Sequence, residues 1–320
     1  MSLLVLGRAE VEALLDPDEL IEAVASALVD LSAGRASVPP RMAAFTPDGL
    51  LGAMAGYVPS LDSLAAKLVS VFPHNTDLPT HQAVIVAFDP RTGAPLALLD
   101  GTAITAQRTA AASALATRLL ARPDAAVLAI VGTGVQAASH ARYLVRVRRF
   151  REIRVAGRDA GRAARLAAQI GGIAAPSAEQ AVRGADVICA TTHAQEPVVL
   201  GKWLSPGAHL NSVGVHPKGR ELDSDVFRGA LVAVESRASA FAPGPAGAND
   251  LRIAVEEGAI AGAGAAAEVG ELAAGTRLGR ASREQITVYK SVGVAAEDAA
   301  AAALVLRHAA ARGLGQRVEI

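Results

Sequence analysis

One cysteine, Cys189, stands in a chain of 320 residues, so an intrachain disulfide framework is excluded. It lies inside the apolar run "DVICATT", which predicts a buried strand thiol. Aromatic residues make up 3% against 51% for all hydrophobic types. The core must therefore be built from small and branched aliphatic side chains under closely packed helices. Neither sign of charge prevails, with Lys plus Arg and Asp plus Glu at 31 each. That balance excludes a global field for nucleic acid or an anionic membrane, and a small ligand is the easier partner. No uncharged apolar stretch of about 20 residues occurs, and "MSLLVLGRAEVEALLDPDEL" lacks a basic leader, so a soluble cytoplasmic protein is expected. His74, His140, His193 and His209 show no metal-ligand spacing with acidic or cysteine partners, and no metal site is expected.

The length suits two domains. Asp16 before Pro17, with Glu19 following, predicts an N-cap, a first-turn proline and a capping-box partner for a helix running to about Ala33. From Ser37 to Gly101 short apolar runs alternate with prolines and turn residues, Asp89 to Gly93 among them, which predicts hairpin-linked strands. A small-residue helix should span Thr102 to Arg122, stopped by Pro123-Asp124. Strand and helix patterns then alternate from Val127 to Glu235. "QITVYKSVG" adds one more strand before an alanine-rich helix from Ala295 to about Arg312. The fold class is α/β: a Rossmann-type, doubly wound parallel sheet plus an α+β domain.

The chemical signal begins after "AVLAIV". Gly132-Thr133-Gly134-Val135-Gln136-Ala137 is a GxGxxA form of the dinucleotide fingerprint, placed between a strand and a helix with a second strand at the right distance. The first glycine permits the turn, the second lets backbone approach a pyrophosphate, and the small third residue lets helix and strand pack. The helix N-terminus offers free N–H groups to the phosphates. At the end of the second strand, Gly157, Arg158 and Asp159 occupy the positions that read the ribose. An arginine there suits a 2′-phosphate, whereas the carboxylate stands further on, so NADP(H) is favoured over NAD(H).

With those residues in view, the chain resembles the ornithine cyclodeaminase and mu-crystallin family over almost its whole length. The resemblance is carried by "KLVSVFPHN", "LPTHQAVIVAFDPRTGAPLALLDGTAITAQRTAAASALA", "VGTGVQA", "LSPGAHLNSVGVHPKGRELDSDVF" and "ITVYKSVGVAAEDAAAA". It implies a substrate and dimerisation domain over 1–120 plus 293–320, a dinucleotide-binding domain over 121–292, and a homodimer. It also implies that Arg41 and Lys67 hold the carboxylate of a small imino or amino acid and are the catalytic pair. Without the resemblance, either would pass for a solvated surface charge. Arg108 and Thr109 match residues at the cofactor's phosphates, and Thr80 and His81 a segment at its nicotinamide end. Thr191, Thr192 and Val213 fall on strand ends facing the cofactor, and His216 could contact substrate.

Two departures bear on the reaction. Val215 stands where the cyclodeaminases carry a catalytic aspartate, and Gly52 stands at a second acidic position. Valine cannot take a proton, so deamination loses its base. Reduction of a cyclic imine that already carries its proton needs mainly orientation and electrostatic complementarity. The expected activity is NADPH-dependent reduction of a small cyclic imino acid of the 1-pyrroline-2-carboxylate or 1-piperideine-2-carboxylate type. The alternatives are an ornithine cyclodeaminase, an alanine dehydrogenase-like enzyme, and an NADPH-dependent binding protein for a small ligand.

Overall fold

The computed structural model describes residues 2–216, 219–244 and 246–319. The chain divides into two compact units, Met1–Arg108 with Gly293–Ile320, and Thr109–Val292. The first unit opens with β1 (Ser2–Leu6), α1 (Arg8–Leu14), α2 (Pro17–Ser32), β2 (Met42–Phe45), β3 (Leu50–Val58), β4 (Ser63–Val71), β5 (His81–Phe88) and β6 (Pro95–Asp100). Helix α3 (Gly101–Leu120) leads into the second unit. There follow β7 (Val127–Val131), α4 (Val135–Val147), β8 (Glu152–Ala156), α5 (Ala160–Ile170), β9 (Ile173–Ala174), α6 (Ala178–Val182), β10 (Val187–Ala190) and β11 (His209–Ser212). The second unit ends with β12 (Leu231–Val234), α7 (Arg237–Ala240), α8 (Asn249–Glu256), β13 (Ala267–Glu268), α9 (Val269–Ala273) and β14 (Thr287–Lys290). The chain then returns to the first unit as α10 (Ala295–Arg312) and β15 (Gln316–Glu319).

The division falls inside α3, earlier than the 120/121 boundary that the resemblance implied. The reason lies in its side chains. Arg108 bonds to carboxylates of α10, whereas Ser113 and Thr117 bond to His140 and Asn211 of the second unit. One uninterrupted helix thus serves both cores.

In the first unit the sheet order is β15-β1-β6-β5-β4-β3-β2, antiparallel except for the β1–β6 pair. Period-2 alternation sends Met54, Lys67, Ile85 and Leu99, matched in register across β3 to β6, to the buried face. Helix α10 packs on that face against β3 and β4. Gly56 permits the approach, since a Cβ there would lie 3.0 Å from the backbone of Ala295. Helix α2 starts as expected, with Asp16 accepting from the Asp18 and Glu19 N–H groups at 2.9 and 3.1 Å. Glu19 does not close a capping box. It reaches α10 instead, pairing with Arg307 at 2.7 Å and His308 at 3.2 Å.

The second unit carries an all-parallel sheet of order β13-β12-β14-β11-β10-β7-β8-β9. Strand order reverses at β7, with β8 on one side and β10 on the other, so the crevice beyond the carboxyl end of β7 is a topological switch point. Strands β7 and β10 are buried along their whole length, as their unbroken apolar runs require. Cys189 is buried in β10, and burial pushes its thiol well above the usual range. Helix α8 starts at Asn249 after an N-cap at Ala248. Among the described residues no helix is long and apolar enough to cross a membrane.

Candidate active site

The glycine turn follows β7 at the switch point. Gly132 has φ +132°, and a Cβ there would strike Thr191, with the Thr191 carbonyl oxygen only 2.8 Å away. Only glycine fits without strain. Gly134 is the N-cap of α4, with no side-chain cap, and a Cβ on it would meet nothing within 4 Å. The first N–H groups of α4 are thus left to a ligand, and Val135 is 59% exposed beside them. Gln136 follows, and Ala137 is fully buried where helix meets strand. These residues fit a dinucleotide's pyrophosphate.

At the end of β8, Gly157 leaves room for Thr133, whose Cγ2 would lie 2.6 Å from an added Cβ. Arg158 is exposed. Asp159 caps α5, accepting from the Arg162 N–H at 2.9 Å, and that bond holds its carboxyl below the usual range. Its lone pairs are partly committed to the helix rather than to a ribose.

The ends of β10 and β11 are tied together by a buried carboxylate. Glu221 accepts from the N–H and hydroxyl of Thr192, from Ser212 Oγ at 2.8 Å and from the Gly214 N–H at 2.8 Å. Lys290, fully buried on β14, donates to Ser212 Oγ at 2.9 Å and the Gly214 carbonyl at 2.6 Å, and pairs with Asp250 at 3.1 Å. Asp250 in turn accepts from the Glu221 and Leu222 N–H groups. Thr192 and Gly214 are therefore held on this polar network, while Thr191 donates to the Val131 carbonyl and Val213 to the Ala190 carbonyl. Val215 follows at 36% exposure, and the His216 ring tilts against His193 at 4.7 Å between centroids.

In the first unit the cations converge. Lys67 sits in the middle of β4, and its side chain is 2% exposed, so it is not a surface charge. Its Nζ lies 2.7 Å from Asp298 Oδ2. Arg108 donates through Nε to Asp298 Oδ1 at 3.1 Å and through Nη1 to Glu297 Oε2 at 2.6 Å. Arg41, half-buried just before β2, donates to the Gly293 carbonyl at 2.6 Å, and a Cβ on Gly293 would lie 2.5 Å from Arg108 Nη1. Burial pushes the Lys67 ammonium down to about 8, against the pull of Asp298 and with the push of Arg108. Burial raises the Asp298 carboxyl, but Lys67 and Arg108 outweigh it and hold the group below its usual value. His81, at the start of β5, is held below its usual value by burial and then by Lys67 and Arg108. Thr80 is exposed before it, and Thr109 is buried beside Arg108.

The resemblance assigned Arg41 and Lys67 to a substrate carboxylate, His81 to the nicotinamide end and Arg108 to the cofactor's phosphates, whereas the structure gathers Lys67, His81 and Arg108 about Glu297 and Asp298; sequence reasoning missed Glu297, Asp298, Glu221, Asp250 and Lys290. A signal existed for the first two. The run "AAEDAAAAALVL" has no polar face, so its helix must be buried nearly all round, and its only charges then require buried cations. Glu221 and Lys290 gave no such sign, because their partners are backbone groups and residues distant in sequence.

Against known proteins, residues 1–313 match the model of the ornithine cyclodeaminase/mu-crystallin family. The ketimine reductase mu-crystallin of Mus musculus is 42% identical over 80% of this chain and 80% of its own. The solved structure of Thermococcus litoralis Δ(1)-pyrroline-2-carboxylate reductase, in complex with NADH and L-proline, is 38% identical, covers 99% of this chain and 100% of its own, and superposes with a TM-score of 0.93. An archaeal alanine dehydrogenase dimer with bound NAD is 32% identical, covers 100% of both chains and has the same TM-score of 0.93. Family model, glycine turn and convergent cations agree, and the chain belongs to the ornithine cyclodeaminase/mu-crystallin family.

Proposed function

We propose that the protein is an NADPH-dependent reductase of small cyclic imino acids of the 1-pyrroline-2-carboxylate or 1-piperideine-2-carboxylate type. It is thus an NAD(P)-dependent oxidoreductase acting on C–N bonds. The observation that carries the reading is the buried cation set of the first unit. A lysine ammonium has three donors, and the ion pair to Asp298 engages one, so Lys67 keeps donors for a ligand carboxylate. Arg41, half-buried just before β2, supplies a second cation for the same group. The Thermococcus litoralis relative, crystallised with the cyclic amino acid L-proline, supports the substrate class.

Bound cofactor supplies the hydride. The protein's part is to orient the imino acid by its carboxylate, so that the C=N carbon accepts the hydride while the nitrogen keeps the proton it brought. No side chain at position 215 can act as a base toward a substrate amine, which separates this chemistry from deamination. Thr192 and Gly214, held by Glu221, with Val213 between Ser212 and Gly214, would support the nicotinamide end, and the N-terminus of α4 the pyrophosphate.

Exposed Arg158, with the neighbouring Asp159 carboxylate engaged in a helix cap, supports NADPH over NADH. A homodimer is supported by an apolar row on the uncovered face of the first unit's sheet, Met42, Leu51, Leu68, Val84 and Leu96, each 41% exposed or more. The decisive experiment follows loss of reduced cofactor with a panel of cyclic imino acids. Turnover is expected, faster with NADPH, with Arg158→Ala narrowing the preference. No turnover with either cofactor would overturn the reading.

A further inference from the structure

Lys67 comes from β4 and Arg108 from α3, yet both end on one carboxylate of α10. Asp298 gives Oδ2 to Lys67 and Oδ1 to Arg108, and its neighbour Glu297 takes the other arm of Arg108. All four side chains are 6% exposed or less. Two cations this close repel each other in a water-poor setting, and an anion bridging them sets their spacing. The bridge itself has little freedom, because Gly56 lets α10 sit directly on β3.

We propose that Asp298 is a positioning residue, which by bridging Lys67 and Arg108 fixes the distance between two cations and keeps Lys67 charged to receive the substrate's carboxylate. The proposal rests on the imino-acid reading above. The charged and titratable groups facing Lys67 are Asp298 and Glu297 from α10, Arg108 from α3 and His81 from β5, while its register partner on β3, Met54, carries no charge. Among them Asp298 is the strongest influence favouring the ammonium. Without it, burial and Arg108 act on Lys67 with only Glu297 in opposition, and the lysine gives up its proton at lower pH. Affinity for a carboxylate then fails at lower pH, while the hydride step at saturation is little altered.

The test is the pH dependence of KM and kcat for a cyclic imino acid with NADPH. In the wild type KM should rise above about pH 8, where Lys67 deprotonates. Asp298→Asn should move that rise down by about one pH unit or more and raise KM roughly threefold near pH 7.5 and roughly tenfold near pH 9, with kcat within about threefold of wild type. Asp298→Glu keeps the charge and should hold the rise near its wild-type position. Lys67→Arg, charged at every pH tested, should abolish it. An Asp298→Asn profile superimposable on wild type, an alkaline rise that survives Lys67→Arg, or KM and kcat worsening together at every pH would each overturn the proposal. If Asp298→Asn does not fold, Asp298→Glu decides: a rise displaced by a unit or more in that variant overturns it. A wild type that turns over no cyclic imino acid overturns the functional reading instead.

Discussion

Acidification should destabilise the second unit through two buried histidines. His140 on α4 is fully buried, with Nδ1 donating to the Gln136 carbonyl at 2.7 Å and Nε2 against Ser113 Oγ at 2.9 Å. His209 on β11 is equally buried between Thr287 and Asn211. Burial pushes His140 from 6.5 down to about 4, and burial followed by Arg280 pushes His209 to about 3. The unfolded chain takes up these protons near pH 6.5, whereas the folded chain refuses them until about pH 4 and 3. Stability from the neutral rings is therefore complete above pH 6.5 and is lost as pH falls toward 4. At about 1.36 kcal/mol per unit, each ring costs roughly 2 kcal/mol by pH 5, and the pair about 4 kcal/mol. That is a large share of a stability of about 5–15 kcal/mol. Urea unfolding at pH 7.5 and pH 5 measures it. His140→Asn and His209→Asn should each remove about 2 kcal/mol of the difference between the two pH values. If both variants lose as much stability between those pH values as the wild type, the reasoning is refuted. The same comparison separates unfolding from chemistry in any acid limb of the activity profile.

Glu221→Gln places an amide donor against the N–H and hydroxyl donors that the carboxylate now accepts, and should cost about 3 kcal/mol of stability. It should also weaken cofactor binding severalfold, read by quenching of Trp203 or by cofactor fluorescence. Gly132→Ala, at φ +132° and against Thr191, should abolish cofactor binding in the same titration while imino-acid binding to the first unit persists. Light scattering should find the wild type at the mass of the proposed dimer and the Leu68→Glu/Val84→Lys variant at that of a monomer, since both side chains sit on the exposed apolar face.

The parallel sheet was legible because its evidence is local. Five-residue apolar runs such as Val127–Val131, glycine at the turn and helical spacing after it each depend on neighbours in sequence. Strand β1, helix α1 and strand β15 were not legible. The pairing of β1 with β6 and β15 brings together residues from both ends of the chain. Arg41, Lys67 and Arg108 came to notice through resemblance, not through anything a lone arginine or lysine displays. Lys67 shows the limit well: the same residue in a β-run reads as a solvated charge until α10, more than half the chain away, is seen to cover it. Glu19 failed for a related reason, since a capping box and a long-range ion pair with Arg307 compete for one carboxylate, and tertiary packing chose the second.

The return of α10 to the first unit also sets an order of events during synthesis. The sheet carrying Lys67, and Arg108 after it, emerges before Glu297 and Asp298, which follow Arg108 by 189 and 190 residues. Until then, closing the first core would bury two cations with no anion to meet them, so that unit should stay open while the parallel-sheet unit behind it condenses. A chain halted before Gly293 would keep a complete nucleotide fold beside a half that has every reason not to close.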